Sequence, residues 1–198
     1  MNLANKFTLL RIILAPVFFL VYFLPGFLPP HYTGGAAWTV ALLWIIAVIA
    51  EFTDMFDGMA ARRLNQSSDF GRLFDPFADT IMQTTAFLCF VIDGILPAAL
   101  FLVVLYREFG ILLLRNFMLQ KGITMGARIS GKIKTVTYII AGAIALLYAS
   151  LRDLGLFEPF QPILRTAAIA VFAVSVLFSL VSFIDYALVC RAAVKTGK

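Results

Sequence analysis

The sequence predicts an all-α membrane protein with six transmembrane helices, formed as a single domain over residues 1–198. Hydrophobic residues make up 62% of the chain, charged residues only 14%, and the mean hydropathy is +0.95. A typical soluble domain carries about 25% charged residues, so this composition favours a membrane protein. Six apolar stretches each approach the roughly 20 residues that cross the hydrocarbon core. They cover residues 8–28, 36–61, 71–92, 96–119, 131–149 and 163–189.

Proline and glycine mark breaks between these stretches, because both residues interrupt helical patterns. The breaks fall at Pro25-Gly26, Pro29-Pro30, Asp93-Gly94, Pro97, Pro159 and Pro162. The first stretch follows Lys6, as in a signal peptide, but it is long, rich in aromatic residues and without a small-residue cleavage site. It is therefore predicted to be a permanent span.

The positive charges predict the orientation of the chain. In a six-span arrangement, 13 of the 16 lysine and arginine residues fall on one side of the membrane. Arg152 and Arg165 fall on the other side, and Arg107 lies within a span. Cytoplasmic loops carry an excess of Lys and Arg, so both termini are predicted to be cytoplasmic. The net charge of +5 then reflects topology in a lipid bilayer, and nucleic acid is not an expected partner.

Four aspartates lie at the predicted cytoplasmic ends of the second and third spans. Asp54 and Asp57 are three residues apart and Asp75 and Asp79 four apart, so each pair projects from one face of its helix. A carboxylate within a membrane is energetically expensive, which makes it a functional-site hypothesis by default. Hard divalent cations prefer carboxylate oxygens, so two such pairs predict a clamp for two metal ions.

Small residues and an arginine lie between the two aspartate pairs. Gly58 and Ala61 leave one helix face open to a bulky group, and Arg62 follows them. A guanidinium binds phosphate well, so this segment predicts a phosphate-rich ligand. Gly71 again leaves room near the start of the third span.

These residues form the pattern D-x2-D-G-x2-A-R-x8-G-x3-D-x3-D from Asp54 to Asp79, which resembles the signature of the CDP-alcohol phosphotransferases without a mismatch. That family consists of six-helix membrane enzymes that displace CMP from a CDP-linked lipid or alcohol, with an alcohol hydroxyl as nucleophile and two divalent cations. The resemblance implies two Mg²⁺ or Mn²⁺ ions as cofactors. The implied roles are metal ligation for Asp54, Asp57, Asp75 and Asp79, general base for Asp79, and CDP binding for Asp54, Gly58, Ala61, Arg62 and Gly71.

A second polar group lies in the fourth and fifth stretches. Arg107 and Arg115 are a little over two helical turns apart and so project in the same direction. Lys132 and Lys134 open the fifth span, where a helix N-terminus suits an anion. These four basic residues are predicted to bind a phosphate on the acceptor alcohol. Glu108 is expected to be a poor direct partner for Arg107, since adjacent residues on a helix diverge by about 100°.

Three further motifs are similar to those of the bacterial phosphatidylglycerophosphate synthases within this family. They are N-x2-T-x2-R at Asn5, Thr8 and Arg11, R-E-F-x5-L-R from Arg107 to Arg115, and G-K-x-K-T from Gly131 to Thr135. The resemblance implies CDP-diacylglycerol and sn-glycerol 3-phosphate as substrates, and an inner-membrane enzyme whose active site faces the cytoplasm. A homodimer is left open. Those enzymes commonly carry lysine after the last aspartate, where this chain has Thr80.

Three alternatives stay open. The same chemistry could use another acceptor, such as inositol phosphate, serine, choline or phosphatidylglycerol, although the four basic residues favour a phosphorylated one. A cation transporter typically places its ion site near the membrane midplane, whereas these aspartates cluster at the cytoplasmic ends. A polar network that only specifies helix packing explains intramembrane charge but leaves the glycine, alanine and arginine spacing unexplained.

Overall fold

The computed structural model describes residues 3–27, 35–64, 69–123 and 129–196, and the side chains within 6–27, 36–53, 74–123 and 129–193. Six α-helices account for nearly all of that part of the chain, as the sequence predicts. They are α1 (Leu3–Phe23), α2 (Gly35–Leu64), α3 (Asp69–Ile92), α4 (Ala98–Gln120), α5 (Ile129–Asp153) and α6 (Gln161–Thr196). Short 3₁₀-helices at Leu24–Phe27 and Glu158–Phe160 follow α1 and precede α6.

Four apolar stretches of the described residues are long enough to cross a membrane: Lys6–Phe27, Ala36–Thr53, Ile129–Asp153 and Glu158–Ala193. The helix α4 is not among these four stretches, because every 18-residue segment of it includes the three charged residues Arg107, Glu108 and Arg115. The chain is therefore a multi-pass membrane protein. That all six helices cross, and that both termini are cytoplasmic, stay predictions.

The helices form two compact units. The first unit comprises Met1–Cys89 and Ser150–Leu156. Within it α1 packs against α2, and the indole nitrogen of Trp44 donates a hydrogen bond to Ser150 Oγ at 3.0 Å. Its apolar core is built from one face of each helix; among its members are Ala15, Phe18, Leu43, Ile46, Ala78 and Phe87.

The second unit comprises Phe90–Ala149 and Phe157–Lys198, and α4 packs against α6 within it. Its core includes Val104, Ile111, Met118, Ala141, Phe172 and Val176. Gly94 ends α3 with a left-handed φ of +73°, a conformation that glycine adopts without steric penalty. The guanidinium of Arg165 donates to the Gly94 carbonyl at 2.7 Å, which ties the start of α6 to this turn.

A close approach between α4 and α6 depends on Gly110. A Cβ atom at this position would lie 2.8 Å from Cε2 and 3.3 Å from Cζ of Phe183. Those distances are shorter than a carbon–carbon contact of about 3.5–4.0 Å, so any side chain here would displace the Phe183 ring. Glycine at this position therefore sets how closely the two helices pack.

Substitution of Gly110 by valine should lower the free energy of unfolding by about 1–3 kcal/mol, because the added methyl groups overpack the α4–α6 contact. Thermal unfolding in detergent measures this loss. Leu113→Val is the matched control, since Leu113 lies on the same helix with 72% of its surface exposed. The variant Gly110→Val/Phe183→Ala should recover part of the stability. Equal losses in Gly110→Val and Leu113→Val would contradict this account.

Candidate active site

Two of the four aspartates, Asp75 and Asp79, have described side chains, and both meet α1. Thr8 Oγ1 donates a hydrogen bond to Asp75 Oδ1, and Arg11 Nη1 forms an ion pair with Asp79 Oδ1. Thr8 and Arg11 are three residues apart on α1, and Asp75 and Asp79 are four apart on α3, so one face of each helix supplies both partners.

The ion pair between Arg11 and Asp79 is asymmetric in its exposure. The Arg11 side chain is 2% exposed, whereas that of Asp79 is 46% exposed. A buried guanidinium therefore holds a carboxylate that stays open to solvent or to a ligand. The paired Asp75 and Asp79 carboxylates are of the type that binds hard divalent cations, so the residues present fit a metal of that class.

The other residues predicted for this site lie on α2 and α3. Asp54 and Asp57, together with Gly58, Ala61 and Arg62, belong to the backbone of α2, and Gly71 belongs to α3. Their side chains lie outside the described residues. Within the described side chains, no group of three His, Cys, Asp or Glu residues gathers as a metal site. The metal set predicted from the sequence also includes Asp54 and Asp57, whose side chains lie outside the described residues.

The second unit contains a buried cluster of charged side chains from α4 and α5. Glu108 Oε1 accepts from Arg107 Nη1 at 2.9 Å and from Lys134 Nζ at 3.0 Å. Arg107, Glu108 and Lys134 are 6%, 5% and 9% exposed. Arg107 also reaches α6, where Nε donates to the Ser179 carbonyl at 3.1 Å and Nη2 to Ser182 Oγ at 3.0 Å.

The expectation that Glu108 would be a poor partner for Arg107 is wrong. Adjacent Cα–Cβ bonds do diverge on a helix, but both side chains are long enough to curve back towards each other. The energy of separating two buried charges exceeds the small rotameric cost of that curvature. Lys134 adds a second cation to the same carboxylate oxygen, which further fixes its position.

The other two predicted basic residues have different surroundings. Arg115 Nη2 donates to the Tyr186 hydroxyl at 3.2 Å, and its guanidinium carbon lies 5.3 Å from the centroid of that ring. Both Arg107 and Arg115 therefore contact α6, in agreement with the shared direction that their spacing predicts. Lys132 is exposed and lies two residues from Lys134, on the opposite side of α5. The structure thus brings Arg107 and Lys134 together and leaves Lys132 apart.

Sequence reasoning missed several members of these clusters. The sequence pattern predicts no side-chain partners for Thr8 and Arg11, although an arginine three residues after a threonine in an apolar span is a signal of one. Ser175, Ser179 and Ser182 are fully buried on α6, at the spacing of one helical face. That serine face was readable from the sequence and marks the side of α6 that meets Arg107.

The chain is similar to known proteins over most of its length. The family model for CDP-alcohol phosphatidyltransferases matches residues 1–181. A CDP-diacylglycerol–glycerol-3-phosphate 3-phosphatidyltransferase of Treponema pallidum is 36% identical over 94% of this chain and 88% of its own length. Proteins of the same name are 37% identical in Bacillus subtilis, over 74% of this chain and 77% of that protein, and 32% identical in Escherichia coli K12, over 96% of each.

The Arg11–Asp79 pair should show energetic coupling in a double-mutant cycle. We expect Arg11→Met and Asp79→Asn to interact by about 0.5–3 kcal/mol in the free energy of unfolding, the range for residues in direct contact. Arg152 and Asp153 form the matched control, an adjacent pair whose side chains are 34% and 35% exposed. The cycle of Arg152→Met and Asp153→Asn should give at most about 1 kcal/mol. Strict additivity at Arg11 and Asp79 would show that the pair does not form.

Proposed function

Because this chain belongs to the CDP-alcohol phosphatidyltransferase family, we propose that it transfers the phosphatidyl group of CDP-diacylglycerol to sn-glycerol 3-phosphate, giving phosphatidylglycerophosphate and CMP. The observation that carries this proposal is the likeness, over most of both chains, to three bacterial transferases of that name. The family membership confirms the resemblance predicted from the pattern between Asp54 and Asp79.

The proposed reaction exchanges one phosphorus–oxygen bond for another. The acceptor hydroxyl oxygen bonds to the phosphorus that carries diacylglycerol, and the bond from that phosphorus to the CMP oxygen breaks. The hydroxyl proton passes to the carboxylate of Asp79, the proposed general base. Arg11 contributes by fixing that carboxylate through the ion pair, while the exposed part of Asp79 leaves it accessible to the acceptor.

The family uses divalent metal, and we assign its ligands here to Asp54, Asp57, Asp75 and Asp79. Two Mg²⁺ or Mn²⁺ ions bound there would neutralise charge on the phosphoryl oxygens during transfer. Thr8 orients Asp75 through the hydrogen bond to Oδ1. The CDP group is assigned to the segment with Asp54, Gly58, Ala61, Arg62 and Gly71, because small residues and a guanidinium suit a pyrophosphate.

We assign the acceptor phosphate to Arg107, Arg115 and Lys134, whereas a role for Lys132, which lies on the opposite side of α5, stays a prediction. Arg107 and Lys134 support this assignment best, since both are buried cations close to one another. A charge-assisted hydrogen bond to phosphate is stronger in such a poorly solvated place than at an exposed surface. The charge distribution along the chain further supports an inner-membrane enzyme with its active site on the cytoplasmic side, and a homodimer stays a prediction.

The purified protein should release CMP from CDP-diacylglycerol rapidly when glycerol 3-phosphate is present, and a chelator should abolish this release. Inositol phosphate, serine and choline are the comparison acceptors, with cytidine nucleotides followed by chromatography. Release with serine or choline alone would contradict the acceptor assignment. It would also implicate Thr80, which is buried on α3 next to Asp79, in the choice of acceptor. Failure to release CMP with any acceptor would contradict the proposed reaction.

Asp79→Asn should lower kcat by at least about 10²–10⁴-fold, the usual contribution of a general base, while the protein still binds CDP-diacylglycerol. Single-turnover CMP release and a separate lipid-binding measurement distinguish the two effects. Glu158→Gln is the matched control, because it makes the same carboxylate-to-amide change at an exposed residue of the 3₁₀-helix. An Asp79→Asn enzyme with wild-type kcat would exclude this residue as the base.

A further inference from the structure

A single carboxylate, Glu108, joins the two buried cations of the second unit. Arg107 Nη1 and Lys134 Nζ bond to the same oxygen, Oε1, at 2.9 and 3.0 Å. Arg107 and Glu108 are neighbours on α4, whereas Lys134 belongs to α5. The carboxylate therefore fixes the distance between two cations that come from different helices.

Arg107 is held at each of its three nitrogens. Its Nη1 bonds Glu108, its Nε bonds the Ser179 carbonyl, and its Nη2 bonds Ser182 Oγ. A guanidinium has five N–H donors, so one remains on each terminal nitrogen. Those bonds leave Arg107 little freedom to rotate, and any ligand it binds must approach the two remaining donors.

Lys134 contacts both the Glu108 carboxylate and an aromatic ring. Its ammonium nitrogen lies 4.6 Å from the Tyr138 ring centroid and donates one hydrogen bond to Glu108. Three N–H donors on a flexible stem would otherwise sample several positions. The charge of Glu108 keeps this ammonium beside Arg107, against the repulsion that two buried cations would otherwise exert on each other.

We infer that Glu108 is a positioning residue for acceptor binding: it holds Arg107 and Lys134 together so that both can bind one phosphate. This inference rests on the proposed function, since that function assigns the acceptor phosphate to these two cations. The three side chains carry a net charge of +1, two cations against one anion. They therefore attract a phosphate while each cation keeps a partner when no ligand is bound.

Preorganisation of Arg107 and Lys134 by Glu108 should be measurable as a higher affinity for the acceptor. Cations already held in place lose little conformational freedom when a phosphate binds, so affinity is higher than for mobile ones. Removal of the Glu108 charge should therefore weaken acceptor binding and leave the binding of CDP-diacylglycerol unchanged. A purely structural role for Glu108 would instead affect both substrates, or the folded fraction, to a similar extent.

The test compares Glu108→Gln, Glu108→Asp and the exposed control Glu158→Gln in the purified enzyme. Glu108→Gln keeps the shape but removes the charge. It should raise KM for glycerol 3-phosphate about tenfold, equivalent to about 1.4 kcal/mol, with KM for CDP-diacylglycerol within about twofold of wild type. Glu108→Asp keeps the charge on a shorter side chain and should restore part of the acceptor affinity. Glu158→Gln should change neither constant.

A second measurement applies if Glu108→Gln is poorly folded. In a Lys134→Met background, Glu108→Asp should raise the acceptor KM by a smaller factor than it does in wild type, because one of the two cations it positions is gone. Equal factors in both backgrounds, or an acceptor KM for Glu108→Gln within twofold of wild type, would overturn the inference.

The two proposals fail in distinguishable ways. CMP release by the wild-type enzyme with glycerol 3-phosphate decides the proposed function. If that release occurs and the acceptor KM does not respond to Glu108, only the positioning role is wrong. If the wild-type enzyme requires an unphosphorylated acceptor, both the assigned acceptor and the role of Glu108 are wrong.

Discussion

Burying a charge among apolar helices costs several kcal/mol per ion, unless a counter-charge and further hydrogen bonds compensate for the lost water. Four charged side chains are buried in the described part of this protein: Arg11, Arg107, Glu108 and Lys134. Each of them forms an ion pair. This requirement for compensation decides which helix faces meet, since every pair except Arg107–Glu108 joins two different helices.

The helix packing around these pairs follows from the same constraint. A guanidinium can reach a backbone carbonyl on a neighbouring helix only if little side-chain bulk lies between the helices. On α6, buried serines provide that space and also supply a hydrogen-bond acceptor at Ser182. On α4, Gly110 lets the helix approach Phe183 closely. Small residues at the α4–α6 contact and the buried Arg107 therefore depend on one another.

The sequence is sufficient to predict the helices, because each apolar stretch is long and the breaks between them carry proline or glycine. The predicted bounds differ from the observed ones: the apolar stretch covers 163–189, whereas α6 runs from Gln161 to Thr196. A helix can continue beyond the apolar stretch into polar residues, whose backbone groups are satisfied within the helix itself. Hydropathy therefore predicts the existence of an element better than its ends.

Sequence-based prediction of the candidate site residues and their partners fails for a different reason in each unit. Local spacing places Asp75 and Asp79 on one face, but their partners Thr8 and Arg11 are 67 and 68 residues away in the sequence. Such pairings are set by tertiary packing, which no local pattern encodes. Glu108 shows the opposite failure, because a local geometric rule predicts a poor contact with Arg107 where the surrounding charges favour a close one. Side-chain length and burial override backbone direction when the electrostatic energy is large.

The two charged clusters have opposite compositions. The cluster on α1 and α3 contains two carboxylates and one cation, and a group of that sign favours divalent metal. The cluster on α4 and α5 contains two cations and one carboxylate, and favours phosphate. In each cluster the single opposite charge forms ion pairs with the others: Arg11 pairs with Asp79, and Glu108 pairs with both Arg107 and Lys134. Arg11 and Glu108 therefore both compensate charge among apolar helices, with opposite sign, although Glu108 bridges two buried cations and Arg11 pairs with one half-exposed carboxylate.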